Sequence, residues 1–180
     1  TESFGDPASG GPVLGMLFAA MSAGAVLGGV FSGWLPRVRR QGLAVLVCIG
    51  VWGVAMIGFG LAVGAATDGA TAVALWFALS FLALGGGADM ISAAFRSTML
   101  QQVATDEMRG RLQGVFIVVV AGGPRVGDVL HGAAAASVGT AAAAAGGGVL
   151  VVIGVSIAAL ALPAFIRYRV GAVVDNGSHG

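Results

Sequence analysis

Charge is the scarcest property of this sequence. Only 9% of its 180 residues are charged, lysine is absent, and nine arginines against eight acidic residues leave a net charge of +1. Soluble domains carry about 25% charged residues, so this chain lacks the polar surface of a water-soluble fold. The small and scattered positive charge also excludes a nucleic-acid-binding surface, and we expect no nucleic-acid partner.

Cysteine and catalytic groupings are scarce as well. The single Cys48 excludes a disulfide framework and a cysteine-based metal site within the chain. No Ser/His/Asp set or H-E-x-x-H motif is present, so the sequence predicts no enzyme, no cofactor and no metal. Glycine, in contrast, is abundant at 32 residues, without the three-residue period of collagen.

Long uncharged stretches make up most of the sequence. Hydrophobic residues make up 57% of the chain, and a helix needs about 20 of them to cross a hydrocarbon layer of about 30 Å. The pattern predicts an all-α membrane protein with an outer turn at residues 137–148. We expect a transmembrane domain over residues 12–169, with five spans at about residues 12–35, 42–64, 70–95, 112–135 and 149–166.

The arginines predict how the chain is oriented. They fall in alternate connections, and arginine prefers the cytoplasmic side of a membrane. The sequence therefore predicts a multi-pass protein of the cell (plasma) membrane. Residues 1–11 would lie outside, and residues 170–180 would form a cytoplasmic tail without regular structure. The arginines concerned are Arg37, Arg39, Arg40, Arg96, Arg109, Arg111, Arg167 and Arg169.

Three ionisable residues fall within the predicted fourth span. Arg125, Asp128 and His131 follow one another at intervals of three, and so share a helix face. An ionisable group at membrane depth is costly, so each needs a partner or a water-filled cavity. Two interpretations stay open. The three residues form a polar stripe along a transport pathway, with Asp128 or His131 carrying a proton, or Arg125 and Asp128 neutralise each other and fix the helix.

Charged residues near the cytoplasmic ends of the spans predict a gate. Asp89 lies seven residues before Arg96, on almost the same helix face. It could close a gate by pairing with Arg96 or Arg109, or it could be a charge that reaches the membrane surface from a helix end. Asp106 and Glu107 stand where the next helix is predicted to begin, and they could instead simply cap that helix. The gate candidates are Asp89, Arg96, Asp106, Glu107, Arg109 and Arg111.

Glycines four residues apart predict close helix packing, because they let a second backbone approach. The triplets at residues 85–87 and 146–148 follow no strand and lack the lysine of a phosphate-binding loop. Among the tryptophans, Trp34 and Trp76 fit the aromatic belts of a membrane protein, whereas Trp52 lies mid-span. The packing candidates are Gly24, Gly28, Gly29, Gly33, Gly123 and Gly127.

Several segments resemble the C-terminal half of a major facilitator superfamily transporter. Within that superfamily, they are most similar to the drug and siderophore exporters. The segments are GMLFAAMSAGAVLGG from residue 15, GWLPRVRRQG from residue 33, FRSTMLQQ from residue 95, DEMRGRLQG from residue 106 and GPRVGD from residue 123. One departure concerns the second segment. Pro36 or Arg37 stands where the family's loop motif has an acidic residue, so the gating role of that residue does not carry over.

The resemblance implies a fold and a function. The chain would supply the last five of twelve helices, as a fragment completed by a separate N-terminal half. The whole would be an antiporter that exports a small hydrophobic or amphipathic compound, such as a drug or siderophore, in exchange for protons. Its partners would be that substrate, membrane lipid and the missing half. The alternative is a non-transporting five-helix scaffold that binds other proteins through its glycine faces.

Overall fold

The computed structural model describes residues 11–67, 71–103, 114 and 127–166. These residues are helical almost throughout, and no strand occurs among them. The prediction of an all-α protein is therefore confirmed.

The described part of the chain consists of successive helices. Four of them are long and apolar enough to cross a membrane, which confirms a multi-pass membrane protein. The predicted fourth span, residues 112–135, lies mostly outside the described residues, and its described end is helical. The elements are α1 (Pro12–Val30), a 3-10 helix (Phe31–Arg37), α2 (Gln41–Thr67), α3 (Thr71–Val103), α4 (residues 127–138), α5 (Thr140–Ala161) and α6 (Pro163–Ile166).

The long helices have no face that is markedly more polar than the others, as expected of helices in a membrane. Pro12 opens α1, where its missing N–H and fixed φ suit the first helical turn. Large apolar side chains face outward along the bundle: Trp76 is 72% exposed and Leu160 84% exposed. In a hydrocarbon layer such surfaces contact lipid tails at no hydrophobic penalty.

The centre of the bundle is formed by α2 and α3. Each packs against the other along its length, while α1 packs on α3 and α5 packs on α2. Most of the buried side chains between them are small, so the helix axes approach closely. The core cluster of buried residues is Ala62, Val63, Ala66, Ala74 and Ala78.

Helices α1 and α3 meet through their backbones. A Cβ atom on Gly24 would overlap the carbonyl of Ala83, and one on Gly28 would lie 2.8 Å from the carbonyl oxygen of Gly87. A Cβ atom on Gly86 would in the same way overlap a backbone carbonyl of α1. Only glycine fits these positions without a shift of the helices. We call this set the α1–α3 glycine contact: Met21, Gly24, Gly28, Ala83, Gly86 and Gly87.

The other candidate packing glycines lie differently. Gly29 faces the side chain of Met90, and a Cβ atom on Gly29 would lie 3.6 Å from the Met90 Cε atom. No described atom comes within 4 Å of the corresponding position at Gly33 or Gly127. Gly123 lies outside the described residues. The close backbone approach is thus a property of the Gly24 and Gly28 row.

The turn predicted over residues 137–148 is much shorter in the structure, where helix replaces most of it. The connection between α4 and α5 is centred on Gly139, whose φ of 86° is in the left-handed region that favours glycine, and α5 begins at Thr140. Five successive alanines at residues 141–145 continue the helix because alanine has the highest helix propensity. Gly148 has a packing role, since a Cβ atom there would lie 2.5 Å from the Gly53 carbonyl oxygen of α2.

Candidate functional site

A cavity of about 520 Å³ lies between five helices of the bundle. It combines ionisable side chains with aromatic, methionine and glycine residues, and we call it the polar cavity. Residues of α1 to α5 all contribute to its wall. They are Met21, Trp52, Met56, Phe59, Asp89, Gly127, Asp128, His131, Ala144, Gly147 and Gly148.

Helix α3 contributes Asp89. The residue follows the α1–α3 glycine contact by two positions, so that contact fixes the height at which its carboxylate meets the cavity. Its Oδ1 atom lies 3.4 Å from Nη2 of Arg96, with the two side chains 57% and 38% exposed. Arg96 Nε also donates to the Ser92 carbonyl at 3.3 Å, which holds the guanidinium along the helix. Asp89 therefore faces both the cavity and a cation.

Helix α4 contributes Asp128 and His131. They are three residues apart on one helix face, and both are exposed. His131 Nδ1 lies 2.9 Å from the Gly127 carbonyl oxygen. Because a carbonyl can only accept, this contact requires a proton on Nδ1, which leaves Nε2 of the neutral ring as an acceptor.

Helix α5 makes room for that imidazole. A Cβ atom on Gly147 would lie 2.7 Å from Nε2 of His131, so the ring in this position uses the space that glycine leaves free. Ala144, one turn earlier, is also small. The position of His131 is thus set by α5 as well as by its own helix.

Helix α2 supplies the apolar wall. Trp52, Met56 and Phe59 are spaced by four and three residues, which places them on one helix face, and all three line the cavity. Met21 of α1 adds a second thioether. Aromatic rings and flexible thioethers accommodate irregular apolar groups. No pattern in the sequence predicts this wall, although the mid-span position of Trp52 is a signal for it.

The chemistry of the polar cavity follows from these walls. Two carboxylates and an imidazole, contributed by α3 and α4, can bind a polar or cationic group or exchange a proton. The α2 wall can contact the apolar part of the same ligand. Ionisable residues at membrane depth that line a cavity mark substrate or proton pathways in membrane proteins. The site fits a small amphipathic ligand.

The structure brings together residues that the sequence assigned to two different sites. Asp128 and His131, predicted on a transport pathway, share the polar cavity with Asp89, predicted at a cytoplasmic gate. Arg96 is the predicted partner that contacts Asp89. The other candidates, Arg125, Asp106, Glu107, Arg109 and Arg111, lie outside the described residues. Within the part of the chain described, no three His, Cys, Asp or Glu residues are grouped as metal ligands would be.

Known proteins similar to this chain are bacterial exporters. Enterobactin exporter EntS of Salmonella typhi is 32% identical over 124 residues, which are 68% of this chain and 27% of the relative. The same exporter of Citrobacter koseri is 32% identical over 123 residues, again 68% and 27%. That of Shigella flexneri is 30% identical over 124 residues, 68% and 28%. The chain is a homologue of major facilitator superfamily exporters.

Only the similarity to these curated relatives supports the homology. No protein-family profile matches the chain, and no solved structure matches it. The chain spans about a quarter of the length of the superfamily relatives it matches. The relatives are exporters rather than enzymes, and the four membrane-crossing helices agree with that family.

Proposed function

We propose that the chain forms part of a secondary active transporter that exports a small hydrophobic or amphipathic compound in exchange for protons. The polar cavity is its substrate site. The observation that carries this proposal is the cavity's composition: Asp89, Asp128 and His131 face an apolar wall inside a homologue of exporters. The relatives' name supplies one candidate substrate class, the siderophores, and drugs of similar amphipathic character form another.

Additional helices complete the transporter in this proposal. Transporters of this superfamily consist of two halves that rock about a site near the middle of the membrane. The chain matches only 27% of the length of its relatives, so it supplies one part of such a pair. An N-terminal half would form the opposite wall of the cavity and is the expected protein partner.

Proton coupling is assigned to Asp128. Its carboxylate lines the same cavity as that of Asp89. Arg96 forms an ion pair with Asp89, whereas among the described residues no ion pair is found for Asp128, so we assign the exchanged proton to Asp128. Binding of substrate and of a proton at Asp128 would then exclude each other, which is what an exchange mechanism requires.

The test is transport by proteoliposomes that contain the chain together with an N-terminal half. We expect Asp128→Asn to lower proton-driven transport at least ~10-fold, a barrier change of about 1.4 kcal/mol, and to remove its pH dependence. Ser137→Ala, an exposed change on the same helix, serves as the control and should leave both unchanged. Wild-type transport with wild-type pH dependence in Asp128→Asn would refute the assignment. No gradient-driven transport by the wild type would favour the scaffold hypothesis.

The orientation of the helices is a separate expectation, which rests on the arginine distribution. Single cysteines are placed at Arg39 and at Thr140 in a Cys48→Ala background. We expect a membrane-impermeant maleimide, applied to intact cells, to label Thr140→Cys, and to label Arg39→Cys only after permeabilisation. The reverse pattern would place the α1–α2 connection outside the cell.

A further inference from the structure

A second cavity of about 520 Å³ runs along the surface between α1, α2 and α3. None of its lining residues is charged, and we call it the apolar groove. Its walls include Phe31 and Trp34 of the 3-10 helix, Val47 and Cys48 of α2, and Leu84 and Ile91 of α3. Glycines of the α1–α3 glycine contact form its floor.

The apolar groove is open along the outside of the described bundle. Phe31 is 70% exposed and Val47 is 55% exposed although both line it. Along α1 and the 3-10 helix the groove extends from Gly24 to Trp34, which is ten residue steps or about 15 Å at ~1.5 Å per step. That is half of a hydrocarbon layer of ~30 Å, the depth of a single leaflet.

One wall of the groove is held rigidly. The ring of Trp34 packs edge-to-face on that of Phe95, with 6.2 Å between centroids. Phe95 is 1% exposed, so the Trp34 ring rests on the buried side of α3. The groove therefore has a fixed shape at the end where the 3-10 helix lies.

Three exposed arginines stand at that same end. Arg37 closes the 3-10 helix that carries Phe31 and Trp34, and its Nη1 donates to the Gly33 carbonyl at 3.3 Å. Arg39 and Arg40 lie in the connection that leads directly into α2. The sequence contains no acidic residue between Asp6 and Asp68. An end of the groove thus carries positive charge, while its length is apolar.

We propose that the apolar groove binds an acyl chain of an anionic phospholipid, whose headgroup phosphate is bound by Arg37, Arg39 and Arg40. The acyl chain fills the leaflet-deep groove, and the three guanidinium groups meet the phosphate at the membrane surface. Arginine binds phosphate through paired N–H donors. Each arginine near the surface favours an anionic lipid roughly fivefold. Three together account for a selective site rather than general contact with lipid.

The test uses Trp34 as the reporter, in the full chain carrying Trp52→Phe and Trp76→Phe. The protein is placed in phosphatidylcholine nanodiscs with increasing amounts of phosphatidylglycerol or phosphatidylcholine brominated on the acyl chain, which quenches nearby tryptophan. We expect brominated phosphatidylglycerol to half-quench Trp34 at a mole fraction at least ~10-fold lower than brominated phosphatidylcholine. Equal quenching by the two lipids, or quenching by neither, would overturn the proposal.

Two variants separate the headgroup from the groove. The combined Arg37→Gln, Arg39→Gln and Arg40→Gln variant should make the two quenching curves coincide. Val47→Phe, which fills the groove, should reduce quenching by both lipids, whereas Val54→Phe on the same helix should not. Val54 is 54% exposed against 55% for Val47 and lies outside the groove, so it is a matched control. A retained phosphatidylglycerol preference in the arginine variant, or equal effects at positions 47 and 54, would contradict the site.

Cys48 gives a second measurement that does not depend on fluorescence. It is the only cysteine of the chain and lines the groove. We expect a lipid-soluble maleimide to react with it more slowly in phosphatidylglycerol nanodiscs than in phosphatidylcholine nanodiscs, with the difference lost in the arginine variant. The same rate in both lipids would contradict occupation of the groove.

Discussion

Helix α3 carries two very different surfaces within seven residues. At Ala83 and Gly86 it meets α1 backbone to backbone, and a Cβ atom on Gly24 or Gly86 would overlap a carbonyl of the other helix. At Asp89 it borders the polar cavity, where a carboxylate faces open space. The first surface contributes packing and no chemistry, whereas the second contributes chemistry and little packing. Because they share one rigid helix, the glycine contact determines where the carboxylate stands.

The largest expected effect comes from breaking the first surface. Gly24→Ala should lower the free energy of unfolding by about 3 kcal/mol, because its Cβ atom would overlap the Ala83 carbonyl and the helices would have to separate. Gly15→Ala, on the same helix, is the control. No described atom lies within 4 Å of its Cβ position, so alanine should be neutral or stabilise by up to ~1 kcal/mol. Unfolding in mixed detergent micelles measures both, and equal effects would refute the distinction between the two positions.

An intermediate effect is expected at the polar cavity, where α5 meets His131. Gly147→Ala should displace the imidazole, since its Cβ atom would lie 2.7 Å from Nε2. The ring can rotate, so stability should change by less than ~1 kcal/mol, while ligand affinity falls about fivefold. No described atom lies near the Cβ position of Gly146, and Gly146→Ala should therefore leave affinity unchanged. Ligand titration, followed by Trp52 fluorescence with the other tryptophans replaced, compares them. A similar loss in both variants would show that the cavity does not depend on the His131 position.

The smallest expected effect concerns the Asp89–Arg96 pair. Both side chains are more than a third exposed, so the pair should contribute only about 0–1 kcal/mol to stability. Arg96→Gln, Asp89→Asn and the double variant form a cycle that isolates this coupling. A coupling above ~2 kcal/mol would mean that the pair holds α3 in place, and the separation between a packing surface and a chemical surface would fail.

Much of this fold could be predicted from the sequence because its helices are long and carry few charges. Hydrophobic length alone placed α1, α2 and α3, and the four-residue glycine spacing pointed to the row of Gly24 and Gly28. The α4–α5 connection was predicted too long because the uncharged run from Val129 continues through the turn, and only the φ of Gly139 marks it.

The polar cavity was harder to predict than the helices. Helices that are apolar on every face have no polar side to show which residues point inward. Asp89 and Asp128 are 39 positions apart in sequence (128 − 89), and only tertiary packing brings them to one cavity. The wall formed by Trp52, Met56 and Phe59 could not be predicted from the sequence for the same reason. The charged residues within the spans could be identified from the sequence, but the sequence does not show which of them line the same cavity.

The contact between Gly53 and Gly148 has a consequence for biosynthesis. The two residues are 95 positions apart (148 − 53), and a ribosome adds about 5–20 residues per second. Roughly 5–20 s therefore pass between synthesis of the α2 surface and synthesis of the helix that covers it. During that interval the nascent α1, α2 and α3 can already associate, whereas the Gly53 side of α2 faces the bilayer or a membrane chaperone. Late arrival of α5 leaves this surface open to wrong helix pairing while the chain is being translated.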